Sequence, residues 1–165
     1  MSIINKCRFC LSKKLKTYLD LGFTPLADRF LSPQQLNEPE KYYPLVVVLC
    51  EQCGLSQLNY TVNPEELYQD EYPYSMSLTK TGTNHYENFA SSVSKKFNLT
   101  NKDLIADIGS NIGILLGGFK KYGIQVLGVD PAENMAKIAC KKGIETIADF
   151  FIPTVAKKIK KKYGS

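Results

Sequence analysis

The sequence lacks the features that mark several specialised classes of protein. No apolar run approaches the roughly 18 residues needed to cross a bilayer, and the N-terminal stretch MSIINKCRFC has no apolar signal core. No low-complexity tract and no repeat of solenoid period interrupts the 165 residues. These absences predict a globular protein that is cytoplasmic and makes no contact with a membrane.

The first hundred residues lack any excess of positive charge. They contain ten Lys/Arg and ten Asp/Glu, whereas residues 101–165 contain eleven against six and account for the whole net charge of +5. The closing lysine run AKKIKKKYGS could touch nucleic acid. However, Val155, Ala156 and Ile159 fit one face of a helix with lysines on the other, so we favour a solvated helix face. Nucleic acid is therefore a disfavoured partner.

Four of the five cysteines form two C-x-x-C pairs, Cys7/Cys10 and Cys50/Cys53. Two such turns bring four thiolates within reach of one tetrahedral ion, which predicts a structural zinc site with all four positions filled by the protein. Gly54 supports this because a residue just after such a turn is often left-handed. The alternatives are two disulfides, which a cytosolic location disfavours, and a redox C-x-x-C, which normally stands alone.

After residue 100 the pattern alternates between strands and helices. The stretches DLIAD, IQVLGVD and IETIADFF read as buried strands, and helical spacing lies between them, with Gly123 ending the first helix. Gly117 and Gly118 should weaken that helix, and Cys140 should be a buried thiol of the next one. Short βα connections predict a parallel, doubly wound sheet. Three such strands alone would leave an apolar edge that a complete domain covers.

The strand tips predict a nucleotide-containing ligand. Gly109 and Gly113 let the backbone approach a ligand at a helix N-terminus, and Asp130, at the tip of the next strand, can accept hydrogen bonds from ribose hydroxyls. NAD and S-adenosylmethionine both fit this much. The turn GSNIG is not G-x-G-x-x-G, and Asp107 stands two residues before the first glycine, where a carboxylate suits a cation and repels a pyrophosphate. We therefore favour S-adenosylmethionine over NAD. The alternative interpretation of Asp107 is that it only caps the turn.

Taken together, these motifs resemble a known family. The chain is similar to the S-adenosylmethionine-dependent sugar C-methyltransferases of deoxysugar biosynthesis that have an N-terminal zinc-binding domain. The resemblance lies in these stretches, which cover nearly the whole chain in the family's order: CRFC, LDLGFTPLADRF, YYPLVVVLCEQCGLSQL, YPYSMS, DIGSNIGILL, VLGVDP and ETIADFF. One departure is Ile112, since the family usually has an aspartate at that position of the turn.

The resemblance implies a set of roles. The cofactors are zinc, held by the four paired cysteines, and S-adenosylmethionine; the substrate is a nucleotide-linked keto-sugar, which is deprotonated beside its ketone and then methylated. The residues lining the cofactor are Asp107, Gly109, Asn111, Gly113, Asp130 and Asp149. The residues expected on the substrate side are Tyr72, Tyr74, Ser75 and Ser77, with the alternative that the tyrosines merely pack on a connecting loop. Tyr74 and His85, the single histidine, are catalytic candidates, although we prefer a surface or supporting role for His85. His85 is expected to begin a helix over HYENFASSVSKKF, whose apolar face would consist of Tyr86, Phe89, Ala90, Val93 and Phe97.

The expected fold is α/β, with a small four-cysteine zinc-binding domain over residues 1–70, a connecting segment and helix over 71–100, and the first half of a doubly wound, Rossmann-like methyltransferase domain over 101–165. Family members continue well beyond this length. We therefore expect the chain to be inactive unless a second polypeptide supplies the C-terminal half. Two other hypotheses are a non-catalytic, zinc-stabilised binding module and a zinc-containing nucleic-acid binder.

Overall fold

The computed structural model describes residues 2–27, 29–68 and 79–164. The chain divides into two compact units, Met1–Leu67 and Tyr68–Ser165, and each has its own sheet or sheets. The four residues expected on the substrate side lie outside the described residues, so their role stays a prediction.

The first unit is built from antiparallel strands. Its elements are β1 (Ser2–Ile3), β2 (Leu15–Thr24), a 3₁₀ helix (Gln35–Asn37), β3 (Tyr43–Cys50), β4 (Ser56–Leu58), β5 (Tyr60–Thr61) and α1 (Pro64–Tyr68). Strands β2, β3 and β4 pair in that order, and β1 pairs with β5. The long interval between the two cysteine pairs therefore contains β2 and most of β3.

The second unit alternates helices with parallel strands. Its elements are α2 (Lys80–Phe97), β6 (Leu104–Ile108), α3 (Ile114–Lys120), β7 (Gln125–Val129), α4 (Glu133–Lys141), β8 (Thr146–Ile147) and α5 (Pro153–Tyr163). The strands form one sheet in the order β6-β7-β8, and both pairings are parallel. The parallel pairing predicted from the alternating pattern is thus confirmed.

The core of the second unit lies between the sheet and the helices α2, α3 and α4. Ala90, Phe119 and Ile124 are buried together, and Ile105 of β6 packs against them. A second cluster joins Leu116 of α3 to Ala139 of α4 and to Ile144, which precedes β8; all three residues are fully or nearly fully buried. The apolar residues of α3 therefore hold it against β6 and β7, which fixes the turn in front of it.

Several local predictions were wrong. Helix α2 begins at Lys80 and not at His85, because the side chain of Thr79 accepts a hydrogen bond from the backbone N–H of Gly82 and caps the helix five residues earlier. Two of the aromatic residues expected on its apolar face, Phe89 and Phe97, are 49% and 64% exposed. The buried positions of α2 are Ala90 and Ser94 instead.

The third strand and the helix before it also differ from the prediction. Strand β8 covers only Thr146–Ile147, because turn hydrogen bonds, such as that from the N–H of Asp149 to the carbonyl of Ile147, end the pairing there. Cys140 is exposed. The buried face of α4 is formed by Met135, Ala136 and Ala139, and the next residue after Ala139 points away from it.

Helix α5 matches its predicted amphipathic pattern. Val155 is 2% exposed, and Ala156 and Ile159 are half-buried, whereas the lysines of the run are exposed. Lys162 pairs with Glu145 at 2.5 Å. The interpretation of the lysine run as the solvated face of a helix is confirmed.

Gly118 is required by the contact between α2 and α3. A Cβ at this position would lie 2.9 Å from the Cβ of Ala90, closer than side chains approach one another. At Gly117, in contrast, an added Cβ meets no atom within 4 Å. Both glycines therefore lower the helix propensity, but only Gly118 has a packing role.

This difference predicts opposite effects for two matched substitutions. Gly118→Ala should lower the free energy of unfolding by about 1–3 kcal/mol, because the helices must move apart. Gly117→Ala should raise it by up to about 1 kcal/mol through helix propensity alone. Urea titration of both variants measures this, and Ala90→Gly should rescue Gly118→Ala. Equal effects of the two substitutions would contradict the packing role.

In the part of the chain that the structure describes, no helix combines the length and the apolarity that crossing a membrane requires.

Candidate functional site

The two C-x-x-C pairs fold into two turns with the same hydrogen bonds. In the first, the N–H of Leu11 donates to the carbonyl of Cys7 at 3.1 Å; in the second, the N–H of Gly54 donates to the carbonyl of Cys50 at 2.8 Å. The N–H of each leading cysteine is also bonded, at 2.8 Å, to the carbonyl five residues later. Both Leu11 and Gly54 have a positive φ, of 61° and 77°. The left-handed conformation predicted for Gly54 is therefore confirmed, and Leu11 adopts it at the equivalent position.

The four sulfurs converge on one point. Cys7 Sγ lies 3.6 Å from Cys53 Sγ, and Cys10 Sγ lies 3.6 Å from Cys50 Sγ, while all four atoms lie within 4.8 Å of one another. A tetrahedral zinc ion with Zn–S bonds of about 2.3 Å requires S···S distances of about 3.8 Å. All four thiols are free, so the two-disulfide alternative is wrong. The donor set and its spacing fit zinc.

The environment of the cluster favours thiolates over thiols at Cys7. The pKa of Cys7 is lowered to about 6, chiefly because the backbone N–H of Cys10 donates to its sulfur. A thiolate is the form that binds a metal. With four sulfurs as ligands, a zinc ion bound here would have no position left for a reacting water, so its role would be to stabilise the fold.

Gln57 is a structural residue of this site that sequence reasoning missed. It is 8% exposed, and its Oε1 accepts a hydrogen bond from the N–H of Arg8, inside the first turn, at 2.9 Å. Its Nε2 donates to the carbonyl of Lys6 at 3.3 Å. Gln57 therefore attaches the first turn to β4. Its sequence context, a glutamine in a short strand, has no feature that predicts this.

In the second unit, three carboxylates lie at the carboxyl ends of the strands. Asp107 lies in β6, Asp130 directly follows β7, and Asp149 follows β8 by two residues. Since the strands are parallel, their carboxyl ends lie next to one another at the same end of the sheet. The Oδ1 of Asp149 accepts a hydrogen bond from the N–H of Phe150, which leaves this side chain beside the end of β8.

Asp130 fixes the glycine turn. One of its oxygens accepts from the N–H of Asn111 at 2.7 Å, and the other accepts from the N–H of Ala132 at 2.9 Å. The residue is only 7% exposed. Gly109, Asn111 and Gly113 all have a positive φ, so the turn has a left-handed residue at every second position. Asp130, which follows β7, therefore holds the turn that follows β6.

The turn borders a crevice of about 160 Å³. Three of the predicted cofactor residues line it, Asp107, Gly109 and Asn111. Four further residues line the crevice that were not predicted to contact the cofactor: Tyr86, Ser110, Ile114 and Leu115. The amphipathic spacing of α2 indicated an inward position for Tyr86, but gave no reason to place it beside the turn.

Asp107 lies in an electrostatically unfavourable environment. Its pKa is raised, mainly by burial and additionally by the negative charge of Asp130. None of the ion pairs that the described residues form involves this carboxylate. A positively charged group beside Asp107 would offset both effects.

Gly113 and Ile112 serve the packing behind the turn. The φ of Gly113 is 73°, and a Cβ there would lie 3.0–3.1 Å from the side chain of Ile144. Ile112 is 3% exposed and packs with Ala132 and Met135. An apolar side chain at position 112, where the resembled family usually has an aspartate, is thus part of the core beneath α4.

His85 lies on the exposed side of α2. Its ring contacts that of Tyr86 edge-on, with centroids 5.5 Å apart. Of the two neighbours, Tyr86 lines the crevice and His85 does not. This position agrees with the preferred interpretation of His85 as a surface residue.

The double hydrogen bonding of Asp130 leads to a stability prediction. Asp130→Ala should lower the free energy of unfolding by about 1–3 kcal/mol for each backbone N–H that loses its acceptor. Asp130→Asn keeps one carbonyl oxygen and should have an intermediate effect. Urea denaturation followed by circular dichroism measures both. If Asp130→Ala unfolds at the same urea concentration as the wild type, the turn is held by other contacts.

Comparison with known proteins agrees with this geometry. Residues 7–68 match the family described as "Putative zinc binding domain". The chain is also 33% identical over 161 residues to the C-methyltransferase NovU of Streptomyces niveus, a match that covers 98% of this chain and 38% of the relative. The chain thus spans well under half the length of the curated relative that it matches.

The resemblance noted in the sequence is therefore confirmed. Residues 7–68 contain the converging cysteines and match a zinc-binding domain, and the match to the relative extends through the second unit. The chain is thus similar to a C-methyltransferase over almost all of its own length and corresponds to 38% of that relative.

Proposed function

We propose that the chain is the N-terminal part of an S-adenosylmethionine-dependent C-methyltransferase that acts on a nucleotide-linked keto-deoxysugar. In this proposal the first unit is a zinc-stabilised module and the second is the first half of a doubly wound, cofactor-binding domain. The relationship to a C-methyltransferase supports the reaction class. The deoxysugar substrate is inferred from the family resemblance of the sequence.

The observation on which the choice of cofactor rests is the position of Asp107. Its carboxylate borders the crevice, partly buried and close enough to Asp130 to feel its charge. A dinucleotide would place a pyrophosphate at this turn, and three negative groups would then face one another in a site of low dielectric. The sulfonium and amino groups of S-adenosylmethionine are cationic and are stabilised by the same carboxylate.

Asp130 would then bind the ribose of the adenosine. Each of its oxygens accepts one backbone N–H, whereas a carboxylate has about four acceptor positions, so two remain for the ribose hydroxyls. Asp149, at the end of β8, would lie on the adenine side. When bound, S-adenosylmethionine supplies the methyl group. Among the described residues, this chain's part is to bind and orient that donor.

The cofactor proposal is tested by calorimetric titration of the zinc-loaded chain. S-adenosylhomocysteine should bind with one site per chain, and NADH should give no heat of binding. Asp130→Ala should weaken binding of S-adenosylhomocysteine about tenfold to a few hundredfold, as expected for lost hydrogen bonds to a charged acceptor. Tighter binding of NADH than of S-adenosylhomocysteine would overturn the proposal.

The reaction is tested separately with methyl-labelled S-adenosylmethionine and a nucleotide-linked keto-deoxysugar. Label should enter the sugar only when a polypeptide with the remaining part of the enzyme is added. A non-catalytic binding module would give no transfer with any added polypeptide.

A further inference from the structure

A groove distinct from the cofactor crevice runs along the outer side of α3. Ile114, Gly117 and Lys121 border it, and because they are three and four residues apart they lie on one side of the helix. The flanks of the groove are formed by Thr83 of α2 and by Ile144, which precedes β8. The groove has a volume of about 490 Å³, which lies in the range of about 300–1,000 Å³ usual for sites of small organic ligands.

The floor of the groove is apolar. Ile112 and Ile144 line it, and both are 3% exposed because they belong to the core beside α4. At Gly117 an added Cβ would meet no atom within 4 Å, so a longer side chain at this position would project into the groove. The glycine therefore gives the groove its depth.

Three lysines line the same groove, Lys120, Lys121 and Lys142. The ammonium group of Lys121 pairs with Glu87 at 2.5 Å. None of the ion pairs formed within the described part of the chain involves Lys120 or Lys142. Three positive charges against the one negative charge of Glu87 leave an excess of two positive charges beside the apolar floor.

The ammonium group of Lys120 is held in place by the segment between α4 and β8. It donates a hydrogen bond to the carbonyl of Gly143 at 2.6 Å. The φ of Gly143 is 77°, and a Cβ at this position would lie 3.0 Å from the same ammonium group. Since an ammonium group has three donors, two remain for a ligand.

These features match an organic phosphate. Lysine binds phosphate as a point charge, and a phosphate group has a charge of about −1.5 to −2 at neutral pH, close to the excess of positive charge in the groove. The apolar floor fits a planar ring. The neighbouring crevice contains Asp107 and has the opposite charge, although Ile114 borders both sites.

We propose that the groove on α3 is a second ligand site, which binds a small aromatic phosphate of the nucleotide class. The ring lies on the isoleucine floor, and the phosphate lies between Lys120 and Lys142. This site goes beyond the proposed function, because neither lysine borders the cofactor crevice.

The proposal is tested by calorimetric titration of the zinc-loaded 165-residue chain with uridine diphosphate. This probe lacks adenine, so it does not imitate the adenosine of the proposed cofactor. It should bind at one site per chain, and more weakly as the salt concentration rises. Uridine and inorganic pyrophosphate, which each offer only part of the chemistry, should bind at least about tenfold more weakly. Binding of pyrophosphate as tight as that of uridine diphosphate would overturn the proposal.

Variants locate the bound probe. Lys142→Gln should weaken binding at least about fivefold, whereas Lys141→Gln removes the same charge outside the groove and should have no effect. Gly117→Leu should abolish binding by filling the groove, and urea denaturation checks that the variant stays folded. Equal effects of the two lysine variants, or full binding by folded Gly117→Leu, would contradict the site.

A nucleotide can reach the groove free or as part of the nucleotide-linked substrate proposed above. Uridine diphosphate and uridine diphosphate glucose are therefore titrated side by side. Tighter binding of the sugar nucleotide, weakened by Lys142→Gln, would assign the groove to the substrate. Tighter binding of uridine diphosphate with the same dependence on Lys142 would assign it to a free nucleotide.

Titration of S-adenosylhomocysteine separates this inference from the proposed function. Uridine diphosphate should still bind when S-adenosylhomocysteine is saturating, and displacement of one by the other would overturn a separate site. Binding of uridine diphosphate by a chain that does not bind S-adenosylhomocysteine would remove the proposed cofactor and leave the groove. Binding of S-adenosylhomocysteine alone would do the reverse.

Discussion

Replacement of Cys50 by serine should unfold the first unit. Cys50 is completely buried, and its sulfur lies 3.6 Å from that of Cys10 in the four-cysteine cluster. Structural zinc contributes about 10–16 kcal/mol in finger peptides, whereas the whole stability of a domain is about 5–15 kcal/mol. The loss of one of four ligands therefore removes a contribution as large as the net stability of the unit.

The measurement is thermal unfolding together with the zinc content of the purified protein. The wild type should contain one zinc per chain, and a strong chelator should abolish the unfolding transition of the first unit. Cys50→Ser should show the same loss without chelator. Cys140→Ser is the matched control, since this exposed thiol lies outside the cluster, and it should leave zinc content and unfolding unchanged. A Cys50→Ser protein that melts like the wild type in the presence of zinc would show that the cluster does not stabilise the fold.

Replacement of Asp107 by asparagine should weaken ligand binding and stabilise the protein at the same time. The amide has the shape of the carboxylate without its charge. Loss of a charge-assisted hydrogen bond costs about 1.5–3 kcal/mol, so the affinity for S-adenosylhomocysteine should fall about ten- to more than a hundredfold. The free protein gains stability because a partly buried charge, repelled by Asp130, is removed.

The pH dependence of the same variant follows from the direction of the pKa shift. The folded protein holds the proton of Asp107 more tightly than the unfolded chain, because its pKa is raised above the ordinary 3.8. The contribution of this group to stability is therefore lost as the pH rises from about that value through the folded pKa. The affinity for a cationic ligand shows the opposite trend and falls as the pH is lowered through the folded pKa.

Parallel titrations of S-adenosylhomocysteine and urea from mildly acidic to neutral pH measure both trends. Asp107→Asn should remove the part of each pH dependence that comes from this group. An unchanged affinity in Asp107→Asn would mean that Asp107 only caps the turn. An unchanged stability would mean that Asp107 is better hydrated than its buried position indicates.

Sequence reasoning predicted the features whose physical causes are local. The two C-x-x-C turns, the left-handed Gly54 and the parallel order of strands follow from short-range spacing, and the structure contains all of them. The amphipathic face of α5 belongs to the same group, since its period of 3.6 residues is complete within one helix.

The predictions that were wrong depend on contacts between elements. Cys140 fits an apolar spacing, but the sheet faces Ala139, and one residue along a helix is a rotation of about 100°. The sequence predicted only that Gly118 weakens α3. The close contact of Gly118 with Ala90 depends on where α2 lies. The hydrogen bond that Asp130 accepts from the N–H of Asn111 in the turn likewise depends on the pairing of β6 with β7. No local pattern contains these distances.

The central claim, that the turn after β6 holds the adenosyl and amino-acid ends of a methyl donor, is tested most directly by a crystal structure of the zinc-loaded chain with S-adenosylhomocysteine. The account predicts ligand density above Gly109, with the amino group beside Asp107 and the ribose beside Asp130. A well-ordered turn with no ligand at saturating concentration, or a ligand bound elsewhere, would contradict it.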